Sequence, residues 1–303
     1  MNNQPGLGCW PSKYDIRTFS FAGKTYDKQS GGKRYAPEDI EDQSKVGICT
    51  SISLTQNARK ATGIKYSADF QYLLQKKFYD SNSPIGWGEG SSIFHALKVA
   101  KNYGLLPEEE WNKSLWRVTQ ADRDLPYHQY IAKLKAVPEQ EIQRLLEIAK
   151  DHKIKAYAEV IVDRDSMARA IDESKAGILA RFNVGKEWWS KNGVDSWRKE
   201  DLEPLRSPQI VVSGHAVTES NYDGRSFRIA NSWGREWAHG GTAYHLLYNY
   251  SPTECWAVFY FDKELPKEIE KQIDERNSLY GQILNNIQKI IELLKKMRNV
   301  LPS

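Results

Sequence analysis

The spacing of apolar residues changes near residue 155, and this change constrains the fold more than any other feature of the sequence. Before it, apolar residues recur every three or four positions, as they do in helices with one buried face. After it, short runs rich in β-branched and aromatic residues are separated by turn residues, as they are in strands. Helices first and strands second predict an α+β body with a helical lobe and a β-rich lobe.

Local signals predict where the elements of this body begin and end. Glycine and serine residues at the segment ends are typical helix caps, and they predict helices at 49–62, 67–78 and 91–104. A further helix is predicted at 165–174. Strands are predicted at 156–162, 178–184, 210–218, 226–231, 243–248 and 256–261.

The sequence divides into four segments. Residues 1–40, rich in glycine and other helix breakers, predict an arm rather than a domain. Residues 41–154 predict the helical lobe, with a charged helical insertion in its second half. Residues 155–262 predict the β-rich lobe, and residues 263–303 predict a helical tail.

The tail carries apolar residues at heptad spacing. One core position contains Ile273, Tyr280, Ile287, Leu294 and Leu301, and the other contains Ile269, Arg276, Ile283, Ile290 and Met297. This repeat predicts a coiled coil and self-association through residues 264–301. The alternative is a tail that breaks near residues 277–281, where a glycine costs a helix about 1 kcal/mol, and folds back onto the body.

Composition and charge argue against several classes of function. The chain has 303 residues, 43 Lys and Arg against 39 Asp and Glu, and a formal net charge of +4. Because the basic residues are interleaved with acidic ones, we expect no nucleic-acid partner. Neither a signal peptide nor a membrane-spanning apolar run is evident, so we expect a cytoplasmic protein with no membrane partner. Export by a non-standard route stays open.

The three cysteines, Cys9, Cys49 and Cys255, form an odd and widely spaced set that suits a reducing compartment. No CxxC pair occurs, and His239 and His245 lack acidic partners at metal-binding spacing, so we expect neither a metal site nor a cofactor. We interpret Cys255 as a core residue. We interpret Cys9 as a bystander, with a redox role for an odd thiol in the arm as the alternative.

Cys49 is a candidate nucleophile because it begins a predicted helix. The N–H groups and partial positive charge of a helix N-terminus favour a thiolate over a thiol. Gln43, six residues earlier, offers an amide that can donate to an oxyanion. A lone cysteine is more often a core residue, so this assignment requires partners elsewhere.

His215 and Asn231 are the candidate partners. His215 lies in a Ser-Gly-His-Ala-Val segment that enters a predicted strand, and Asn231 ends the next strand sixteen residues later. If these strands pair in antiparallel fashion, the imidazole and the amide lie side by side.

The Asp-Gln pair before Cys49, the Gly-His-Ala-Val segment and the Asn-Ser-Trp-Gly segment together resemble the papain family of cysteine peptidases. The resemblance covers roughly residues 42–261 and implies a two-lobed papain-like fold, in which the second lobe is barrel-like. It implies four catalytic roles: nucleophile for Cys49, general base and acid for His215, imidazole-orienting residue for Asn231 and oxyanion donor for Gln43.

The resemblance also implies a substrate and the residues that bind it. The substrate would be a peptide or protein, hydrolysed by an endopeptidase through an acyl-enzyme intermediate. Gly90 and Ser91 match a segment whose backbone binds the substrate as an added strand, and Gly214 matches a further main-chain contact. Trp233 matches the indole that shields the hydrogen bond between the histidine and the asparagine, and it completes this candidate set.

Ile48, Thr50 and Ser44 depart from the residues that the family usually has around the nucleophile, and the pattern is more similar to its prokaryotic branch. Two other functions stay open: deamidation or transamidation at the same site, and an inactive peptidase-like scaffold that binds partners. Residues 1–40 are fewer than a typical inhibitory propeptide and predict an arm that crosses the cleft. The Trp188-Trp189 pair is either an exposed specificity loop or lobe packing.

Overall fold

The computed structural model describes residues 6, 8–13, 19–21, 25–26, 35–191, 204–261 and 264–298. The chain forms two compact units, residues 1–264 and residues 265–303. Both predicted lobes belong to the first unit, and the predicted tail forms the second.

In its described residues the first unit contains eight α-helices. They are α1 Cys49–Thr62, α2 Ala68–Phe78, α3 Ile93–Asn102, α4 Glu108–Lys113, α5 Gln120–Arg123, α6 Tyr127–Lys135, α7 Glu139–Ala149 and α8 Arg164–Ser174. Strong capping signals explain why α1 to α3 agree with prediction. Ser67 and Ser92 each accept a hydrogen bond from the backbone N–H three residues later, and Gly63 ends α1 in the left-handed conformation at φ 79°.

The strands that the structure describes in this unit form two sheets. They are β1 Cys9–Trp10, β2 Phe19–Phe21, β3 Ser91–Ser92, β4 Ala156–Val160, β5 Ile178–Val184, β6 Ser213–Tyr222, β7 Phe227–Ala230, β8 Thr242–His245 and β9 Glu254–Phe259. Seven of them form one sheet in the order β2-β4-β9-β5-β6-β7-β8, in which β2 is parallel to β4 and the other neighbours are antiparallel. The remaining two, β1 and β3, pair with each other in parallel.

The α+β class is confirmed, but several strand boundaries differ from prediction. The apolar run 210–212 was predicted to begin β6, yet its side chains are exposed and the strand begins at Ser213. β9 begins two residues earlier than predicted, and β8 is shorter. Ser91 and Ser92 were predicted to begin the third helix but form β3, and the arm, in which short strands or turns were expected, contributes β1 and β2. Strands of two or three residues are too short to show alternation.

Helix α1 lies between two hydrophobic cores. Leu54 and Ala58 pack in one cluster with Leu179 of the large sheet. Ile52 packs in a second cluster with Phe70 and other side chains of the helical lobe. Because both faces of α1 are buried, its first residue is held firmly relative to both lobes.

The predicted helical insertion is anchored to the body by a buried ion pair. Arg123 donates to the two carboxylate oxygens of Asp69 at 3.1 and 2.9 Å, and to the backbone carbonyl of Asp42 at 2.9 Å. The Tyr130 hydroxyl donates to the same carboxylate at 2.9 Å. Breaking such a buried pair typically costs about 3–5 kcal/mol, so the insertion is an integral part of the helical lobe.

The second unit contains one helix in its described residues, α9 Lys267–Arg298. The helix is continuous through Gly281, so the alternative of a break between residues 277 and 281 is not observed. Leu301 lies outside the described residues, as do the side chains after Ile291. None of the helices described here is long and apolar enough to cross a membrane.

Candidate active site

Cys49 is the first residue of α1, and its side chain is fully buried. The two neighbours that depart from the papain-family pattern have structural explanations. Ile48 is completely buried in the helical-lobe core with Val46 and Ile52. The Thr50 hydroxyl donates to Oε1 of Gln75 in α2 at 3.0 Å. Both departures therefore hold the start of α1 against the helical lobe.

His215 and Asn231 meet because β6 and β7 pair in antiparallel register, as predicted, with Thr218 opposite Ala230. Nε2 of His215 lies 2.6 Å from Oδ1 of Asn231, and both side chains are fully buried. The same Oδ1 accepts the backbone N–H of Ser232 at 2.8 Å, which fixes the orientation of the amide. Since Oδ1 can only accept, Nε2 carries a proton and Nδ1 is available to the thiol.

Aromatic side chains surround this imidazole. The Trp233 indole lies over the His215 ring at 4.6 Å between centroids, and Trp188 meets the ring edge-on at 6.0 Å. Both indoles are buried: Trp233 covers one face of the His215 ring, and Trp188 is packed in the β-rich lobe rather than exposed in a loop. The side chain of Trp189 lies outside the described residues.

The surroundings of Cys49 favour its thiolate. Burial alone would raise the pKa of this thiol. Hydrogen bonds from Cys9 and His215, the charge of His215 and the backbone N–H of Ala216 outweigh burial and hold the pKa well below its ordinary value. Nδ1 of His215 is buried and, among the described residues, has no nitrogen or oxygen partner, so no such group competes with the Cys49 thiol for it.

Gln43 is held beside the nucleophile by hydrogen bonds on both ends of its amide. Its Oε1 accepts the Ser232 hydroxyl at 2.5 Å, and its Nε2 donates to the Val46 carbonyl at 2.9 Å. Its backbone N–H donates to the Ser232 carbonyl at 2.8 Å. A third side-chain bond runs from Nε2 to the carbonyl of Gly6, in the N-terminal arm, at 2.5 Å. An arm carbonyl therefore occupies the donor that was predicted to hold an oxyanion.

The arm continues along the predicted substrate-binding residues. The Ser91 N–H donates to the Gly8 carbonyl at 2.8 Å, and Cys9 is paired with Ser91 in the two-stranded sheet. Gly90 lies against Gly8, and a Cβ at Gly214 would be 2.1 Å from the Cys9 carbonyl oxygen. Gly90, Ser91 and Gly214 thus bind one extended backbone segment, which in this structure is the arm.

Two charged residues that the sequence analysis missed bind the same segment. Nε of Arg181, in β5, donates to the Cys9 carbonyl at 2.9 Å. The Glu254 carboxylate, in β9, accepts the backbone N–H of Ser12 at 2.9 Å and its hydroxyl at 2.8 Å. Arg181, Gly214 and the arm line a cavity of about 310 Å³. An arginine within an otherwise apolar strand was the signal that could have identified this site.

A buried lysine supports the glycine turn that precedes Ser91. The Lys76 ammonium donates to the carbonyls of Gly88, at 2.6 Å, and Gly90, and pairs with Asp80 at 2.9 Å. Burial lowers the pKa of Lys76, and the neighbouring carboxylate opposes this effect. The backbone of the turn is therefore held in place by the buried ammonium group of Lys76.

His245, the other fully buried histidine in the described residues, is held by structural contacts. Its ring nitrogens lie 2.7 Å from the Tyr250 carbonyl and 3.0 Å from Glu219. This acidic partner is distant in sequence, so residue spacing did not reveal it. No group of three or more His, Cys, Asp and Glu side chains in the described part of the chain could hold a metal ion.

Comparison with solved structures places the fold among the papain-like cysteine proteases. Xylellain, a cysteine protease from Xylella fastidiosa, superimposes with a TM-score of 0.60 at 22% identity, over 84% of this chain and 96% of that one. Procathepsin B S9 from Trypanosoma congolense aligns with a TM-score of 0.52 at 13% identity, over 84% of this chain and 86% of that one.

The cysteine protease and lectin-like domains of Cwp84, a surface-layer-associated protein of Clostridium difficile, align with a TM-score of 0.52 at 13% identity. This alignment covers 84% of the present chain and 55% of that one. No protein-family model matches the sequence, and no curated protein sequence matches it. At these identities the likeness is one of fold, and the predicted papain-like architecture is confirmed at that level.

The electrostatics of the site predict a thiolate at neutral pH. The pKa of Cys49 is lowered, so its thiolate should persist on acidification well below the ordinary thiol pKa of about 8.5. The measurement is thiolate ultraviolet absorbance against pH, with Cys49→Ala subtracted. His215→Ala removes an opposing charge and a hydrogen bond, so it should shift the transition to higher pH. A wild-type transition at or above the ordinary thiol pKa would contradict this prediction.

Proposed function

We propose that this protein is a cysteine peptidase with Cys49 as its nucleophile. The observation that carries the proposal is the alignment of Cys49, His215 and Asn231 in a buried site within a papain-like fold. The nearby Gln43 amide, tied to Ser232, supplies a donor at the same place. The substrate is a peptide or protein that binds as an extended strand along residues 90–91 and Gly214.

Each side chain has a defined role in the proposed reaction. The Cys49 thiolate attacks the peptide carbonyl carbon, and the Gln43 amide and the Cys49 N–H stabilise the oxyanion. His215 then gives its Nδ1 proton to the leaving amine, which produces an acyl-enzyme. Water, deprotonated by His215, hydrolyses the acyl-enzyme and restores the thiolate. Asn231 keeps the imidazole in the tautomer and orientation that these transfers need.

Two alternatives share parts of this site. Deamidation or transamidation would use the same thiolate and acyl-enzyme, and would differ only in the leaving group or the acceptor. An inactive binding scaffold had its support in Ile48 and Thr50. Both residues make packing or hydrogen-bonding contacts within the helical lobe, and these contacts leave the Cys49–His215 pair intact.

The test is labelling with a thiol-directed peptidyl epoxide, read by intact mass, together with cleavage of a peptide library. We expect one adduct at Cys49 that is absent in Cys49→Ala and present in Cys255→Ala, the matched core control. Gln43→Ala should lower kcat/KM by about 10²–10³-fold, since it removes one oxyanion donor. No adduct at Cys49 would contradict an active thiol, and an adduct without cleavage would favour transfer or deamidation.

We further propose that the N-terminal arm restrains this activity. Its residues 6 and 8–12 bond to Gln43, Ser91, Arg181 and Glu254, so a substrate backbone cannot take those positions while the arm is bound. The Gly6 carbonyl engages the oxyanion donor, whereas a side chain, that of Cys9, meets the nucleophile. The thiolate therefore faces a side chain of the arm and not one of its carbonyl carbons. The bound arm acts as an inhibitor and not as a substrate.

Weakening the arm should raise activity. Ser12→Ala removes the hydroxyl that bonds the Glu254 carboxylate, and such a bond contributes about 1.5–3 kcal/mol, so kcat/KM should rise roughly tenfold or more. Deleting residues 1–13 should raise kcat/KM further. Ser278→Ala, in α9, is the matched serine control and should leave the rate unchanged. Equal rates for the wild type and both arm variants would refute inhibition by the arm.

The tail is proposed to associate with a second copy of the chain. Exposed apolar side chains of α9 occupy the two heptad core positions and the positions beside them: Leu279, Tyr280, Ile283, Leu284, Ile287, Ile290 and Ile291. A stripe of this width, confined to one helical face, is the pattern that a homotypic coiled coil buries. A second copy presents the identical stripe, which makes it the proposed occupant.

Light scattering of the full chain and of the chain ending at Phe261 tests this association. We expect an oligomer for the first and a monomer for the second. Ile283→Asp places a charge at a heptad core position and should shift the full chain toward monomer, because burying that charge is costly. Asn285→Asp adds the same charge on the outer face and should not. If all four proteins have the same oligomeric state, association through the tail is ruled out.

A further inference from the structure

The most unusual contact of the site is between two cysteines. The side chains of Cys9, in the arm, and Cys49, in α1, lie in one hydrophobic cluster, and each thiol shifts the pKa of the other. Cys9 is 3% exposed and Cys49 is fully buried. Neither is in a disulfide. The sequence analysis had interpreted Cys9 as a bystander, so this contact corrects that interpretation and favours the redox alternative.

The backbone around Cys9 is fixed on both sides of the cleft. Gly8 accepts the Ser91 N–H at 2.8 Å, and the Cys9 carbonyl accepts Nε of Arg181 at 2.9 Å. At the Cys9 carbonyl, the approach to Gly214 leaves no room for a Cβ. These contacts hold the Cys9 side chain toward the nucleophile while the arm is bound.

The two sulfur atoms differ in protonation in a way that suits disulfide formation. Burial and the hydrogen bond to Cys49 raise the pKa of Cys9, which keeps its proton, while the pKa of Cys49 is lowered. A buried thiolate therefore has a protonated thiol within reach. Oxidants attack thiolates, and a sulfenic acid beside a second thiol condenses with it to a disulfide.

We propose that Cys9 and Cys49 form a reversible disulfide that locks the arm over the active site under oxidising conditions. This inference rests on the proposed function, because it requires a reactive thiolate at Cys49. It assigns Cys49 a second role as the oxidised thiol, and it assigns Cys9 the role of the resolving thiol.

The reaction balances with a peroxide as oxidant and a dithiol as reductant. The Cys49 thiolate attacks one oxygen of hydrogen peroxide, the O–O bond breaks, and Cys49 sulfenic acid and hydroxide form. The Cys9 sulfur then attacks the Cys49 sulfur, the S–S bond forms, and the Cys9 proton leaves with the sulfenic hydroxyl as water. A dithiol reverses the step by exchange, leaves as its own disulfide and returns both thiols.

The disulfide would change both the arm and the nucleophile. An arm held by hydrogen bonds can open and admit substrate, whereas a covalently bound arm cannot leave until it is reduced. The disulfide would also keep Cys49 from further oxidation to the sulfinic acid, which dithiols do not reverse. The site would thus be inactive and protected while oxidant is present.

The experiment uses the full chain, reduced and then treated with hydrogen peroxide. Peptide mapping without reductant should identify a bond between residues 9 and 49, and the intact protein should lose two hydrogen atoms. Epoxide labelling of Cys49 should disappear and return fully with dithiothreitol. Cys255→Ala should behave as the wild type, because Cys255 lies in β9 and is a core residue.

Cys9→Ser separates the disulfide from simple oxidation of the nucleophile. This variant keeps the size and backbone contacts of the arm but cannot form the disulfide. With excess peroxide we therefore expect Cys49 to gain two oxygen atoms as the sulfinic acid and to lose labelling without recovery in dithiothreitol. Cys9→Ala should behave in the same way. If either variant recovers as fully as the wild type, or if the wild-type bond involves Cys255, the proposal is overturned.

The same experiment distinguishes failure of the disulfide from failure of the proposed function. Reduced chain that is labelled at Cys49 but forms no bond between residues 9 and 49 would overturn the disulfide and leave the peptidase proposal standing. Absence of labelling, both in the reduced chain and after deletion of residues 1–13, would overturn the reactive thiolate and the disulfide with it.

Discussion

The site depends on a short backbone bridge between two distant segments. The Gln43 N–H donates to the Ser232 carbonyl at 2.8 Å, and the Gly234 N–H donates to the Glu41 carbonyl at 3.2 Å. The segment that contains Gln43 leads into α1, the helix that starts with Cys49. The segment that contains Ser232 comes directly after β7 and Asn231. Because both segments are fixed to each other by backbone hydrogen bonds, the nucleophile and its histidine are held in place by main chain rather than by flexible side chains.

The helical insertion supports this bridge from the opposite side. Arg123 bonds the Asp42 carbonyl while paired with Asp69, so the segment before Gln43 is held by a charged group that is itself buried. Ile48 and Thr50 act at the other end of the same segment, through the core and through Gln75. Residues that look unusual beside a nucleophile thus reflect how this helical lobe packs.

The arm satisfies charged groups that would otherwise be costly to bury. Arg181 and the Glu254 carboxylate both bond the arm, and burial raises the pKa of Glu254 against the hydrogen bonds that it receives from Ser12. When the arm leaves, these groups need water or a ligand with similar polar atoms. The charges that hold the arm in the cleft therefore also favour an extended peptide in its place.

Much of the site could be predicted from the sequence because its signals are local. A helix start at Cys49, a strand entered by His215 and a second strand directly followed by Asn231 are each specified by a few neighbouring residues. The antiparallel pairing of the two strands then followed from their short separation. Strand boundaries were less certain, since the exposed run 210–212 is as apolar as a buried strand.

The sequence by itself determined the α+β class, the helix that begins with Cys49 and the candidate set of Cys49, His215, Asn231 and Gln43. Only the tertiary structure decided that the arm lies along Ser91 and that Arg181 and Glu254 bind it. It also decided that Cys9 meets Cys49. These contacts join segments that are separated by 40 to more than 240 residues in the chain. Hydrophobic periodicity and capping signals report only on neighbours along the chain, so such contacts become visible when the chain has folded.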